Sequence, residues 1–202
     1  MKIKSAKDIK PLRDSVIVQV TKIQEDDLII SQTSTKQHVN MVFGEVVSTG
    51  PETNQEENCP GVACGDSVMF SEFAGQHIST ESDKLEKVVR GYDIMVKLDN
   101  INEITKDNIT AVSDRVIVSV FYRDETVDGI VLSEDNSKDP TLQDLDYGQI
   151  ISIGASCKTD LKEGQIVAYG SGDYVGECIA KQPEKDVAEY RAINEKDILF
   201  TL

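Results

Sequence analysis

The chain has 202 residues and a formal net charge of −15 at pH 7, with 39% hydrophobic and 28% charged residues. This acidity disfavours nucleic acid and anionic membrane surfaces as partners, because both require a basic face. No apolar run approaches the ~18 residues of a membrane span. The start, "MKIKSAKDIKPL", lacks the apolar core of a signal peptide. We expect a soluble globular protein of one large or two small domains.

Strand-like segments recur along the chain in the same order in its two halves. They are short, rich in Val and Ile, and bounded by Gly, Asp and Ser, as strands are. The matching pairs are "LRDSVIVQV" (12–20) with "VSDRVIVSV" (112–120), "FGEVVSTG" (43–50) with "YGQIISIG" (147–154), "CGDSVMFSEFAG" (64–75) with "EGQIVAYGSGDYVG" (163–176), and "YDIMV" (92–96) with "KDILF" (196–200). Such a repeat indicates tandem duplication of one domain.

The repeat predicts two domains, residues 1–99 and residues 100–202, that meet near the polar stretch "LDNINEITKDN" (98–108). Each half has about the size that supports one hydrophobic core. The segments show no 3.6-residue apolar stripe, and no long helix is predicted. Several short strands within one small domain favour an all-β fold of two tandem small β-barrels.

A long polar connection is predicted at the same place in both halves: the first loop spans residues 21–42 and the second spans residues 121–146. Connections beyond ~12–15 residues in a compact domain are usually functional or disordered. Each loop carries one aliphatic triplet fenced by acidic residues. The triplets are Leu28-Ile29-Ile30 and Ile130-Val131-Leu132.

Two interpretations of the triplets remain open from their pattern. Each triplet could be a short strand that packs on its own barrel. The flanking stretches "SQTSTKQHVN" and "SEDNSKDPTLQD" argue otherwise, because they hold too few apolar residues to offset the entropy of ordering them. We therefore expect mobile loops that present the triplets to a partner protein.

These segments together resemble the GroES-type co-chaperonins. The opening strand "IKPLRDSVIVQV", the loop segment "GIVL" (129–132), the following strand "GEVVSTG", the turn-bearing "GDSVMFSEFAGQHI" and the closing strands "YDIMV" and "KDILF" carry the likeness. Their order in both halves makes the resemblance specific, although each motif alone is weak. Two such domains in one chain resemble the tandem co-chaperonins of plastids. The first loop departs from the family pattern, since Asp27 stands where the family prefers glycine before the triplet.

The resemblance implies a function and a set of partners. The family caps an ATP-bound, GroEL-like chaperonin by inserting loop triplets into its apical domains, and so encloses proteins that fold inside. The ATP is bound by the chaperonin, and no cofactor is expected on this chain. The resemblance also implies a ring-like homo-oligomer, mixing with single-domain co-chaperonins as an alternative, and the plastid stroma rather than the cytoplasm. The implied chaperonin-binding residues are Leu28, Ile29, Ile30, Gly129, Ile130, Val131 and Leu132.

Other functional classes find little support in the sequence. The glycines in "YGSGDYVGE" (169–177) imitate a dinucleotide fingerprint, but no helix or second parallel strand is predicted after them, which favours a tight turn. The four cysteines have no zinc-site spacing and are expected to be reduced and mostly structural, and two scattered histidines offer neither a metal site nor a nucleophile–base pair. We expect no enzyme. The alternative function is a tandem β-barrel adaptor that binds peptides without capping a chaperonin.

Overall fold

The computed structural model describes residues 6–21, 41–55, 59, 61–78, 85–100, 104–121, 126–127, 130–131, 145–170, 175–181 and 187–202. Helix within these residues is confined to three 3-10 turns, at Ala6–Asp8, Gly91–Asp93 and Glu195–Asp197. None of the described helical segments is long and apolar enough to cross a membrane. Almost all regular structure is strand, so the all-β prediction is confirmed.

The first half forms most of a seven-stranded antiparallel sheet. Its strands are β1 (Ser15–Thr21), β2 (Met41–Thr49), β3 (Ser67–Ser71), β4 (Gln76–Ile78), β5 (Glu86–Arg90), β6 (Ile94–Leu98) and β7 (Ile109–Ala111). The spatial order is β4-β5-β1-β2-β3-β6-β7. Strand β7 comes from the second half of the sequence and lies on the edge of this first sheet.

The second half forms a six-stranded sheet with the same arrangement, and a separate two-stranded one. Its strands are β8 (Arg115–Phe121), β9 (Thr126–Val127), β10 (Ile130–Val131), β11 (Leu145–Ile153), β12 (Ile166–Gly170), β13 (Glu177–Lys181), β14 (Val187–Asn194) and β15 (Ile198–Thr201). The larger sheet runs β13-β14-β8-β11-β12-β15, which repeats β4-β5-β1-β2-β3-β6 strand for strand. Among the described strands, β9 and β10 pair only with each other.

Each large sheet curls around its own core. In the first half, one buried cluster combines Val18 of β1, Val46 of β2, Val68 of β3, Val89 of β5 and Ile94 of β6. Side chains from five strands meet in one cluster only if the sheet bends round to face itself. The second sheet has a matching core, formed by Val116, Val118, Ile150, Val167, Tyr169 and Ile193. This arrangement agrees with the two small barrels that the sequence predicts.

A glycine permits the close approach of two neighbouring strands in each barrel, β1 to β2 and β8 to β11. A Cβ at Gly44 would lie 2.3 Å from Cγ1 of Val18, and a Cβ at Gly148 would lie 2.9 Å from Cβ of Val118. Real Cβ atoms do not approach other heavy atoms so closely, so any side chain at these positions would force the strands apart. Glycine in a strand often marks such a close backbone approach.

A third apolar core joins the two halves. It gathers Met41, Phe43, Met69, Met95 and Val96 from the first half with Ile117, Ile179, Tyr190 and Ala192 from the second. In β8 the run Val116-Ile117-Val118 is wholly buried, because Val116 and Val118 point into the barrel while Ile117 points to this third core. Strand pairing therefore crosses the predicted boundary between residues 99 and 100, and the boundary itself stays a prediction.

Candidate functional site

The two loops leave equivalent barrels at equivalent places. In the first half Thr21 at the end of β1 pairs with Phe43 near the start of β2. In the second half β8 ends at Phe121 and β11 begins at Leu145, and the two strands pair in the same antiparallel sense. Each pair contains one register shift, beside Ile17–Val18 in the first and between Ile150 and Ser152 in the second. A bulge of this kind bends a strand and increases its twist.

The predicted binding residues are described only in part. Leu28, Ile29, Ile30, Gly129 and Leu132 lie outside the described residues. Ile130 and Val131 form β10, in which Ile130 pairs with Val127 and Val131 pairs with Thr126. Because this two-stranded sheet is separate from the six-stranded one, β10 is not a strand of the barrel. The role of both triplets in binding stays a prediction.

A buried lysine holds the turn between β3 and β4 in the first half. Lys87 on β5 is 5% exposed, and its Nζ donates to the carbonyl oxygens of Glu72 at 2.6 Å and Ala74 at 3.0 Å. The same Nζ lies 5.9 Å from the ring centre of Phe70. The ammonium thus fixes the carbonyls on both sides of Phe73, whose side chain is exposed at the tip of the turn.

An arginine takes the corresponding position in the second half. Arg191 on β14 pairs with Val118, as Lys87 pairs with Val18. Its Nη1 donates to the carbonyl oxygen of Val175 at 2.9 Å, and its Nη2 lies 2.7 Å from Oε1 of Glu189. Sequence reasoning missed both cations. The sequence does contain a signal for them. In each half, the strand that pairs with "VIV" carries a basic residue at the same register.

Three of the four thiols have little nucleophilic character. Burial raises the pKa of Cys59 and of Cys178 to about 12, with Glu189 adding to the shift at Cys178. Burial also raises the pKa of Cys157 to about 11. A thiolate is the reactive form of cysteine, and these three thiols are protonated at neutral pH. Cys64 is exposed, and all four thiols are free.

Two further features bear on the rejected classes of site. Gly176, in the glycine-rich stretch after β12, has φ of +73°, and a Cβ there would lie 2.5 Å from the carbonyl oxygen of Ala192. This glycine therefore serves a close approach of the chain to β14, and antiparallel β13 follows it directly rather than a helix. In the part of the chain that the structure describes, no group of three or more His, Cys, Asp or Glu side chains could hold a metal ion.

The duplicated barrel defines the class of protein. The chain matches the family described as "Chaperonin 10 Kd subunit" over residues 8–98 and again over residues 108–202. The chain therefore belongs to this family and carries its domain twice, which confirms the resemblance that the sequence motifs indicated.

Curated relatives fall into single-length and double-length proteins. The co-chaperonin GroES of Hydrogenovibrio crunogenus is 33% identical over 93 residues, which cover 44% of this chain and 95% of the relative. The mitochondrial 10 kDa heat shock protein of Saccharomyces cerevisiae is 32% identical over 99 residues, covering 48% and 93%. The chloroplastic 20 kDa chaperonin of Arabidopsis thaliana is 24% identical over 213 aligned positions, covering 96% of this chain and 76% of the relative.

Proposed function

We propose that the protein is a co-chaperonin that caps an ATP-bound chaperonin ring and encloses substrate proteins while they fold. Membership of the Chaperonin 10 Kd subunit family over both halves is the observation that carries this proposal. Relatives named as co-chaperonin or chaperonin support it further. The chain acts without catalysis or cofactor of its own, and the ATP belongs to the chaperonin.

The contacts with the chaperonin are made by the two aliphatic triplets, which enter apolar grooves on its apical domains. In the first loop these are Leu28, Ile29 and Ile30, and in the second they are Ile130, Val131 and Leu132 with Gly129 before them. Both triplets belong to the connection between the same two strands of a repeated barrel, so the proposal gives them the same role in each half.

The free energy of binding estimated for one loop favours reversible capping by several loops at once. Burial of one aliphatic side chain contributes about 1.5–3 kcal/mol, so a triplet contributes very roughly 5–8 kcal/mol. Ordering the loop costs about 2–5 kcal/mol, which leaves a few kcal/mol for each loop. A ring-like homo-oligomer presents several loops together and gains affinity through effective concentration. Single-domain co-chaperonins are further partners for such a ring.

The compartment that fits this proposal is the plastid stroma. Its support is the similarity to two chloroplastic 20 kDa chaperonins, from Arabidopsis thaliana and from Spinacia oleracea. The spinach protein is 31% identical over 98 residues, which cover 46% of this chain and 37% of the relative.

Co-sedimentation with a nucleotide-bound chaperonin tests the proposal. A variant with Ile130, Val131 and Leu132 changed to serine should bind at least tenfold more weakly, since each 1.4 kcal/mol corresponds to about a factor of ten. The matching variant at Leu28, Ile29 and Ile30 tests the first loop. Phe73→Ser serves as the control, because Phe73 is an exposed apolar residue outside both loops. Wild-type binding by both triplet variants would refute the role of the triplets and favour a peptide-binding adaptor.

A further inference from the structure

The turn between β3 and β4 links the two sides of the first loop. On one side of the loop, β1 ends at Thr21, and the amide of Val20 donates to the carbonyl of Leu85, just before β5, at 2.8 Å. On the other side β2 begins at Met41, which pairs with Ser71 at the end of β3. Because the strands lie in the order β4-β5-β1-β2-β3, the turn that follows β3 runs from the β2 side of the loop to its β1 side.

A cation and a glycine hold this turn in place. Lys87 belongs to β5, on the β1 side of the loop, and its Nζ donates to the carbonyls of Glu72 and Ala74, which follow β3. Gly75 ends the turn with φ of +71°, and a Cβ there would lie 2.2 Å from the carbonyl oxygen of Val88 on β5. The buried ammonium therefore ties together the two groups of strands between which the first loop leaves the barrel.

The second repeat makes the same connection with different chemistry. Gly170 at the end of β12 pairs with Leu145, the first residue of β11. Arg191 of β14 donates to the carbonyl of Val175, which lies beyond β12 in the chain, and its guanidinium is held by Glu189. The side chain of Arg191 is only 11% exposed. Because two different cations occupy the same register and reach the same turn, the connection is a shared feature of the repeats.

We infer that Lys87 and Arg191 are positioning residues for the two chaperonin-binding loops. Each cation keeps the strand ends at the root of its loop ordered before the chaperonin is bound. Without it, the turn separates from the neighbouring strand and the last strand pairs fray, so binding has to order these residues too. Each residue that must be ordered on binding weakens a loop by roughly tenfold. This inference rests on the proposed function and extends it from the triplets to the barrels that carry them.

Co-sedimentation with a GroEL-like chaperonin and ATP tests the role of Lys87 in the full chain. At a temperature at which circular dichroism shows every variant folded, Lys87→Met should bind at least tenfold more weakly than the wild type. Lys87→Arg, which introduces the cation of the second repeat, should retain wild-type binding. Val46→Ala is the matched control, since Val46 lies in the same core but towards the other end of β2, beside Asp66. It lowers stability by removing buried methyl groups and should leave binding unchanged.

A combined variant shows whether Lys87 acts through the first loop. In a chain whose Leu28, Ile29 and Ile30 are already serine, Lys87→Met should weaken binding no further, because the loop that it positions no longer binds. A general loss of stability would instead weaken both backgrounds equally. Arg191→Met, combined with serine at the second triplet, provides the same test in the second repeat.

The outcomes separate this inference from the wider proposal. The inference is wrong, and the capping function is kept, if the wild type binds the chaperonin and Lys87→Met binds equally well. The same conclusion follows if Lys87→Arg fails to retain binding, if Val46→Ala loses as much affinity as Lys87→Met, or if the losses add in the combined variant. A wild-type chain that does not bind the chaperonin overturns the proposed function together with the inference.

Discussion

Replacing Lys87 with methionine tests whether a buried ammonium organises the turn between β3 and β4. Its Nζ donates to the carbonyls of Glu72 at 2.6 Å and Ala74 at 3.0 Å, over the ring of Phe70. Hydrogen bonds from a charged donor contribute about 1.5–3 kcal/mol each, and the ring contact adds about 0.5–1 kcal/mol. These contributions are already net of desolvation and do not add in full when they share one ammonium, so the expected loss is about 2 kcal/mol.

Thermal or urea unfolding measures this loss. For a chain of this size, ~2 kcal/mol lowers Tm by roughly 4–8 °C. Amide exchange should rise locally at Ala74, whose N–H donates to the carbonyl of Ser71 at 2.9 Å within the same turn. Lys97→Met is the matched control, because Lys97 forms a partly exposed ion pair with Asp66 at 3.0 Å, and such pairs contribute about 0–1 kcal/mol. Equal losses of stability in the two variants, or unchanged amide exchange at Ala74, would refute this role of Lys87.

Two further substitutions test single polar groups. The hydroxyl of Tyr169 is buried with no hydrogen-bond partner among the described residues. The equivalent residue of the first repeat is Phe70. Tyr169→Phe should therefore leave stability unchanged or raise it by about 1 kcal/mol. A clear loss in urea unfolding would contradict this. Burial would raise the pKa of Glu195, but hydrogen bonds from Thr159 and Lys158 outweigh it and leave the pKa lowered. A carboxylate whose pKa is lowered by folding stabilises the fold at pH values above its ordinary pKa of 4.5. Glu195→Gln should therefore be less stable than the wild type at pH 7, and this difference in stability should fade as the pH falls below 4.5. A difference independent of pH would exclude the carboxylate as its cause.

The repeated fold could be predicted from the sequence because the residue pattern of a β-strand is local. "VIVQV" and "VIVSV" read as buried strands from their composition alone, and they became β1 and β8. Because these segments recur in the same order in both halves, the sequence predicts two domains of the same fold. The polar stretch at 98–108 predicts the seam between the copies. It gave no sign that the next residues, 109–111, would pair with the sheet of the preceding repeat.

The features that the sequence did not predict depend on side chains whose burial is decided by tertiary contacts. Lys87 in "EKVVR" is indistinguishable by local pattern from a solvent-facing lysine of an amphipathic strand. Its burial follows from the turn at residues 71–75 folding over it, which no local rule predicts. The exposure of Leu199 and Phe200 on β15 is not predicted for a similar reason. Both continue an apolar strand pattern, and only the structure shows that they are exposed where the corresponding Met95 and Val96 are buried.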